Sequence, residues 1–236
     1  MRRTVDDARR WVDFGTELTL KAVAGWGEPE MGLPSGLPGW TRKNLIAHIA
    51  GNADALGNLT HWAATGERTP MYSSPDQRAA DIEAGAHRPA HALSGWLRES
   101  AERLATAMAG LRASQWRTEV VTAQGRTVPA TEVPWLRARE VCVHAVDLAA
   151  GIGFTDLPAG FLTALSDDVV GKRGTVPGQA LTLTATDTGD RWHLAGEGTP
   201  IAVSGPLAGI TAYLTGRPHG VTAADGSPAP RLAAWL

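Results

Sequence analysis

The sequence predicts an α+β chain: a helical domain over residues 1–151, then a small α+β domain over residues 152–236. Two observations carry this prediction. Apolar residues recur at three-and-four spacing through the N-terminal part, and beyond about residue 152 short runs alternate in strand fashion between Gly and Asp turns.

Val5, Ala8, Trp11, Val12 and Leu18 give a first amphipathic helix ending near Gly25. Gly32 to Gly39, rich in Gly and Pro, reads as a loop. Thr41 is then placed as the N-cap of a long helix with the inward stripe Leu45, His48, Ile49, Asn52, Leu56 and Leu59, closing near Gly66. A loop through Pro70 and Pro75 leads to a short helix around Gln77 to Ala84. The third long helix carries Leu93, Trp96, Leu97, Leu104, Met108 and Leu111. Val120, Val121 and Val128 flank Gln124-Gly125 as a small hairpin, and Thr131, Glu132 and Pro134 are start signals for a fourth long helix stopping before Gly151. Four long helices joined in this way suggest a bundle. In the second domain Pro158 opens a helix bearing Leu162, Leu165 and Val169. The runs L-T-L-T-A-T, R-W-H-L-A and I-A-V-S read as strands, and Leu207 to Leu214 as a last helix ended by Gly216 and Pro218.

Composition narrows the function. With 22 basic and 24 acidic residues interspersed along 236 positions, there is no basic face to follow a nucleic-acid backbone. No apolar run approaches the roughly 20 residues of a membrane span, and M-R-R-T-V-D-D-A-R-R-W is unlike a signal peptide, so a cytoplasmic location is expected. The single cysteine, Cys142, leaves no internal disulfide and no cysteine cluster for a metal. Neither nucleic acid nor a membrane is therefore expected as a partner, and the chain is expected to be a monomer or homodimer.

The informative stretch is W-L-R-A-R-E-V-C-V-H-A-V-D-L, Trp135 to Leu148. Glu140 and His144 stand one helical turn apart, about 40° around the helix, whereas Cys142 points about 200° from Glu140. An i, i+4 Glu and His alone is an ordinary helix-surface pair. His48 on the apolar stripe of another helix changes that reading, because buried imidazoles and a buried carboxylate need each other or a metal to offset desolvation. Two imidazoles and one carboxylate can hold a divalent metal with positions left open for chemistry. Asn52, one turn beyond His48, is a candidate cofactor-binding residue. Asp147 either orients a ligand imidazole, is solvated, or pairs with Arg137. His61, His87 and His91 read as surface residues, and His193 and His219 lack a partner at ligand spacing. Arg78, placed in the loop after T-P-M-Y-S-S, and Arg217, at the end of Y-L-T-G-R-P, are candidate carboxylate clamps. A last-turn arginine also simply complements a helix dipole.

The runs L-I-A-H-I-A-G-N-A-D-A-L, A-A-T-G-E-R-T-P-M-Y, R-A-R-E-V-C-V-H-A-V-D-L and G-P-L-A-G-I-T-A-Y-L-T-G-R resemble the mycothiol-dependent maleylpyruvate isomerase family over nearly the whole chain. The resemblance implies a DinB-like metal-binding four-helix bundle followed by a sterol-carrier-like α+β domain. It also implies a divalent metal, zinc by preference, on His48, Glu140 and His144, with mycothiol as thiol cosubstrate. Arg217 would match the family's essential C-terminal arginine and Arg78 a second one. The implied reaction is cis–trans isomerisation of a small unsaturated oxo- or dicarboxylic acid by thiolate addition, bond rotation and elimination. A mycothiol S-transferase would use the same site, stopping at the thioether. A non-enzymatic small-molecule binding protein would need no tightly bound metal. A non-haem iron oxygenase also uses two histidines and a carboxylate, but nothing else here points to oxygen chemistry.

Overall fold

A computed structural model describes residues 3–173 and 178–233. Residues 1–2 and 234–236, the outer ends of the two predicted domains, lie outside the described residues. Thr4–Ile152 is one compact unit and Gly153 onward is the other. The chain is thus α+β, with a helical N-terminal part and a small sheet domain after it. No described helix is long and apolar enough to cross a membrane.

In the first unit the helices are α1 (Val5–Val23), a single turn α2 (Glu28–Met31), α3 (Arg42–Thr65), α4 (Pro75–Ala86), α5 (Ala90–Ala109) and α6 (Val133–Asp147). The hairpin of β1 (Glu119–Val121) and β2 (Thr127–Pro129) precedes α6. Among the long helices α1 packs on α6, α6 on α3, α3 on α5 and α5 on α1. Thr41 caps α3 as expected: its hydroxyl accepts from the Asn44 amide while Asn44 Oδ1 accepts from the Thr41 amide at 3.1 Å. At the other end Gly66, at φ +81°, gives the left-handed residue that terminates the helix. The periodicity predicted one inward stripe on α3, yet Ile46, Ala47, Ala50 and Ala53 are buried as well. The reason is that α4, α5 and α6 all pack against α3, so it is covered on several faces.

The carboxyl end of α6 is held by the first residue of α3 and by the loop before it. Arg42 donates to the carbonyls of Leu148 at 2.9 Å and Ala149 at 2.6 Å, and the Gly36 amide donates to the Asp147 carbonyl at 2.6 Å. These bonds satisfy carbonyls that a helix end leaves without intrahelical partners. Gly36 lets the loop approach closely, since a Cβ there would sit 3.2 Å from the Asp147 carbonyl oxygen and press on it. The loop from Gly32 to Gly39 therefore fixes the last turn of α6.

The second unit contains α7 (Ala159–Arg173), β3 (Gln179–Ala185), β4 (Arg191–Leu194), β5 (Glu197–Gly205), α8 (Leu207–Leu214) and β6 (Thr222–Ala223). Its sheet runs β4-β3-β5-β6, with β3 parallel to β5 and the other pairs antiparallel. The strand runs and the last helix match the sequence reading; β6, two residues long, has too little pattern to be read. Between β4 and β5 the chain crosses the end of β3, with the Glu197 amide bonded to the Gly178 carbonyl at 2.7 Å. Gly196 permits this crossing, since a Cβ would lie 2.4 Å from that carbonyl oxygen.

Candidate metal centre

Three donors meet between α3 and α6. Ligand atoms of His48, Glu140 and His144 all lie within 4.8 Å of one another. His48 Nε2 is 2.9 Å and His144 Nε2 3.4 Å from Glu140 Oε2, and the two rings stand nearly perpendicular with centroids 5.0 Å apart. The sequence separates His48 from Glu140 by a large loop, and the α3–α6 packing brings them together. Trp40 closes one side, edge-on to His48 at 5.6 Å between ring centroids. His48 is only 6% exposed, so its environment is set by protein rather than water.

Asp147 resolves to one of its three sequence readings. It is 2% exposed, and its Oδ2 accepts from His144 Nδ1 at 2.8 Å. The Nδ1 proton is thereby directed at Asp147, which leaves Nε2 on the Glu140 side. Arg137, the alternative partner, is turned elsewhere: its Nη1 donates to the Ile49 carbonyl at 2.7 Å and to Asn52 Oδ1 at 3.0 Å. Asn52 is buried, and its carbonyl oxygen is engaged within the protein by that guanidinium.

The charges are mutually adjusted. Burial by itself would raise the Glu140 carboxyl, but the hydrogen bonds from His144 and His48 outweigh it and hold Glu140 well below the usual carboxylate range. Burial pushes His48 down against the pull of Glu140. For His144 burial acts in the same downward sense, yet its bonds to Asp147 and Glu140 prevail and raise it to about 9. Such a cluster, ionised carboxylate and two imidazoles, is the donor chemistry a borderline divalent cation takes.

Arg78 lies in the first turn of α4 rather than in a loop, because Ser74 caps that helix and Pro75 starts it, two residues before the Gln77 start that the sequence indicates. Its Nη2 donates to His48 Nδ1 at 3.3 Å. Beside this contact opens a cleft of about 320 Å³, lined among others by His48, Tyr72, Arg78, Asp54, Arg88 and Trp96. Trp96 Nε1 donates to Asp54 Oδ2 at 2.7 Å, and the Arg88 guanidinium lies over the Trp96 ring at 4.2 Å. Tyr72, Asp54, Arg88 and Trp96 escaped the sequence reading. Asp54 carries the one usable signal, an acid inside the apolar run of α3; the others converge only through tertiary packing.

Arg217 belongs to the second unit, where its Nη1 donates to the Thr215 carbonyl at 2.6 Å. His61, His87 and His91 are exposed, as expected; His193 is exposed too, and His219 sits against the Tyr213 ring with centroids 4.9 Å apart. Cys142 faces away from the donors: it is fully buried, its Sγ is 3.5 Å from the Trp11 carbonyl oxygen, and burial pushes its thiol far up.

A helical unit with two imidazoles and a carboxylate at its centre, followed by a small α+β unit, defines the class: a two-unit protein with a candidate metal-binding helical domain. The family model "Mycothiol maleylpyruvate isomerase N-terminal domain" matches residues 13–149. The chain belongs to that family. It is similar over 98% of both chains to the crystal structure of the mycothiol-dependent maleylpyruvate isomerase, with 40% identity and a TM-score of 0.91. A variant of that enzyme with one histidine replaced by alanine matches at 39% identity, again over 98% of both chains and with a TM-score of 0.91. No curated protein matches the chain.

Proposed function

We propose that this protein is a metal- and mycothiol-dependent cis–trans isomerase of a small unsaturated oxo acid of the maleylpyruvate type, acting in the cytoplasm. The observation that carries the reading is the convergence of His48, Glu140 and His144 beside an open cleft. Two solved relatives are mycothiol-dependent maleylpyruvate isomerases, and their likeness supports the same activity here. In this reading residues 1–151 form a DinB-like four-helix bundle that holds the ion, and residues 152–236 are the sterol-carrier-like domain.

A divalent cation on these donors, zinc by preference, would supply the charge that keeps a thiol ionised well below its ordinary value of about 8.5. Each residue then has a task. Asp147 holds the proton of His144 on Nδ1 and so keeps Nε2 available as a donor. His48 serves through Nε2, the nitrogen facing Glu140. Were Nε2 committed to an ion, the ring proton would reside on Nδ1, which would then no longer accept from Arg78. That would free the guanidinium to take a substrate carboxylate at the cleft. Asn52 contributes through the buried guanidinium it fixes. Arg217 is proposed as a second catalytic arginine because of its place in the G-P-L-A-G-I-T-A-Y-L-T-G-R run.

Isomerisation works because reversible thiolate addition converts the C=C bond to a single bond that rotates, and elimination restores the alkene and the thiol. The test is incubation of zinc-loaded protein with mycothiol and maleylpyruvate, following alkene geometry and thiol together. The expected result is trans product with the thiol undiminished. Stoichiometric thiol consumption would identify an S-transferase instead, and no metal in the purified protein, or equal metal content in His48→Ala, would overturn the assignment of His48 as a ligand.

A further inference from the structure

Tyr72 lines the cleft with His48 and Arg78, and nothing so far assigns it a role. It reaches this place on a segment after α3 that has no regular structure of its own. Asn58, on α3, pins that segment by donating from Nδ2 to the carbonyls of Pro70 at 3.2 Å and Met71 at 3.4 Å. The ring is half-buried, with the Arg78 guanidinium 5.8 Å from its centroid. Among the described residues the phenol donates to no carbonyl or carboxylate. Burial raises the phenol above its ordinary value, so it keeps its proton throughout neutral pH. A cation and a neutral O–H donor thus face one cleft, beside the imidazole that anchors the donor triad.

We propose that Tyr72 is a further catalytic residue, whose phenol donates a hydrogen bond to the substrate oxygen that gains charge when thiolate adds. The proposal rests on the isomerase reading. In the forward step the thiolate sulfur forms a bond to one alkene carbon, and the π pair moves through the adjacent carbon onto the conjugated carbonyl oxygen. That oxygen is now an enolate. After rotation the pair returns, the double bond re-forms and the C–S bond breaks with the thiolate leaving, so no proton or electron is gained or lost overall. Arg78 takes the carboxylate, whose charge is present from the start, whereas Tyr72 meets charge that exists only in the adduct and the transition states beside it. A donor of the second kind acts on kcat rather than on KM.

Tyr72→Phe separates the two effects, because the ring and its stacking contact with Arg78 stay while the hydroxyl, with its hydrogen bond to Arg78 and its proton, is lost. The expected result is a fall in kcat on the order of a hundredfold with KM changed by less than about threefold, at unchanged metal content and unfolding temperature. A second readout needs no turnover. The chain has two tyrosines, so labelling with carbon-13 at the hydroxyl-bearing ring carbon yields two signals, and Tyr72→Phe identifies which is which. Maleylpyruvate added without thiol shifts the Tyr72 signal saturably and leaves Tyr213, bonded through its hydroxyl to the Pro230 carbonyl, unmoved. Wild-type turnover with an unchanged kcat in the variant, a rise in KM alone, or a Tyr72 signal that ignores maleylpyruvate overturns the proposal while the isomerase reading stands. Wild-type protein that does not isomerise maleylpyruvate overturns that reading and this proposal with it.

Discussion

Removing the Asp147 carboxylate tests the metal centre without touching a proposed ligand. In the structure Asp147 Oδ2 lies 2.8 Å from His144 Nδ1, and Asp147 is 2% exposed, so water screens the contact little. Loss of a group that orients a ligand histidine costs about 10–100-fold in metal affinity, or roughly 1.4–2.8 kcal/mol. The burial and the short contact place Asp147→Ala at the upper end, because His144 loses both its orientation and the charge that raises its basicity. Asp147→Asn keeps the shape and offers a carbonyl acceptor, so a loss of about tenfold is expected. Competition for Zn2+ against a chromophoric chelator measures both variants, with far-UV circular dichroism confirming that α6 is intact. An affinity of Asp147→Ala within twofold of wild type would refute the reasoning that this carboxylate sets the His144 tautomer for a metal.

Three further outcomes follow from the packing. Gly15→Ala inserts a Cβ 2.6 Å from Val141 Cγ2 and 2.7 Å from Cys142 Sγ, forcing α1 away from α6, and chemical denaturation should show a loss of about 1–3 kcal/mol. A variant as stable as wild type would mean that the two helices separate freely. Arg137→Ala leaves Asn52 Oδ1 and the Ile49 carbonyl without their buried donor, and should cost about 2–4 kcal/mol by the same measurement; a variant as stable as wild type would contradict it. Cys142, buried and with its thiol pushed up, should react with a disulfide reagent at pH 8 only after unfolding; labelling of native protein within minutes would contradict its position.

The helices were legible because their signals are local. Thr41 and Gly66 delimit α3 by capping chemistry alone, and the i, i+4 relation of Glu140 and His144 needs nothing but helical geometry. His48 was readable as an inward residue because an imidazole on an apolar stripe stands out. The partner of Asp147 was not legible, since the sequence left it solvated, on a ligand imidazole or on Arg137, and the α3–α6 packing takes Arg137 away to Asn52 and Ile49. Arg78 was assigned to a loop because α4 has little apolar pattern: of its residues only Ile82 and Gly85 are buried. Tyr72 carries no periodic signal at all, as it lies on an irregular segment placed by the distant amide of Asn58.

Two side-chain contacts between α3 and α6, Asn52–Arg137 and His48–Glu140, act as successive rungs. On α3, Asn52 follows His48 by one turn; on α6, Arg137 precedes Glu140 by nearly one turn, so the rungs Asn52–Arg137 and His48–Glu140 stack as two antiparallel helices require. They are separated by about 6 Å along α3 and about 4.5 Å along α6. Arg137 is therefore close enough to Glu140 to feel its charge, and burial lowers the guanidinium only to about 10, leaving it charged at neutral pH. A fixed cation beside an ionised carboxylate offsets part of the cost of burying both. At the far end Arg42 and Gly36 hold the carbonyls that follow His144. The α6 segment carrying Glu140 and His144 is thus pinned on both sides, which preorganises the donors so that the binding energy of an ion is not consumed in ordering the helices.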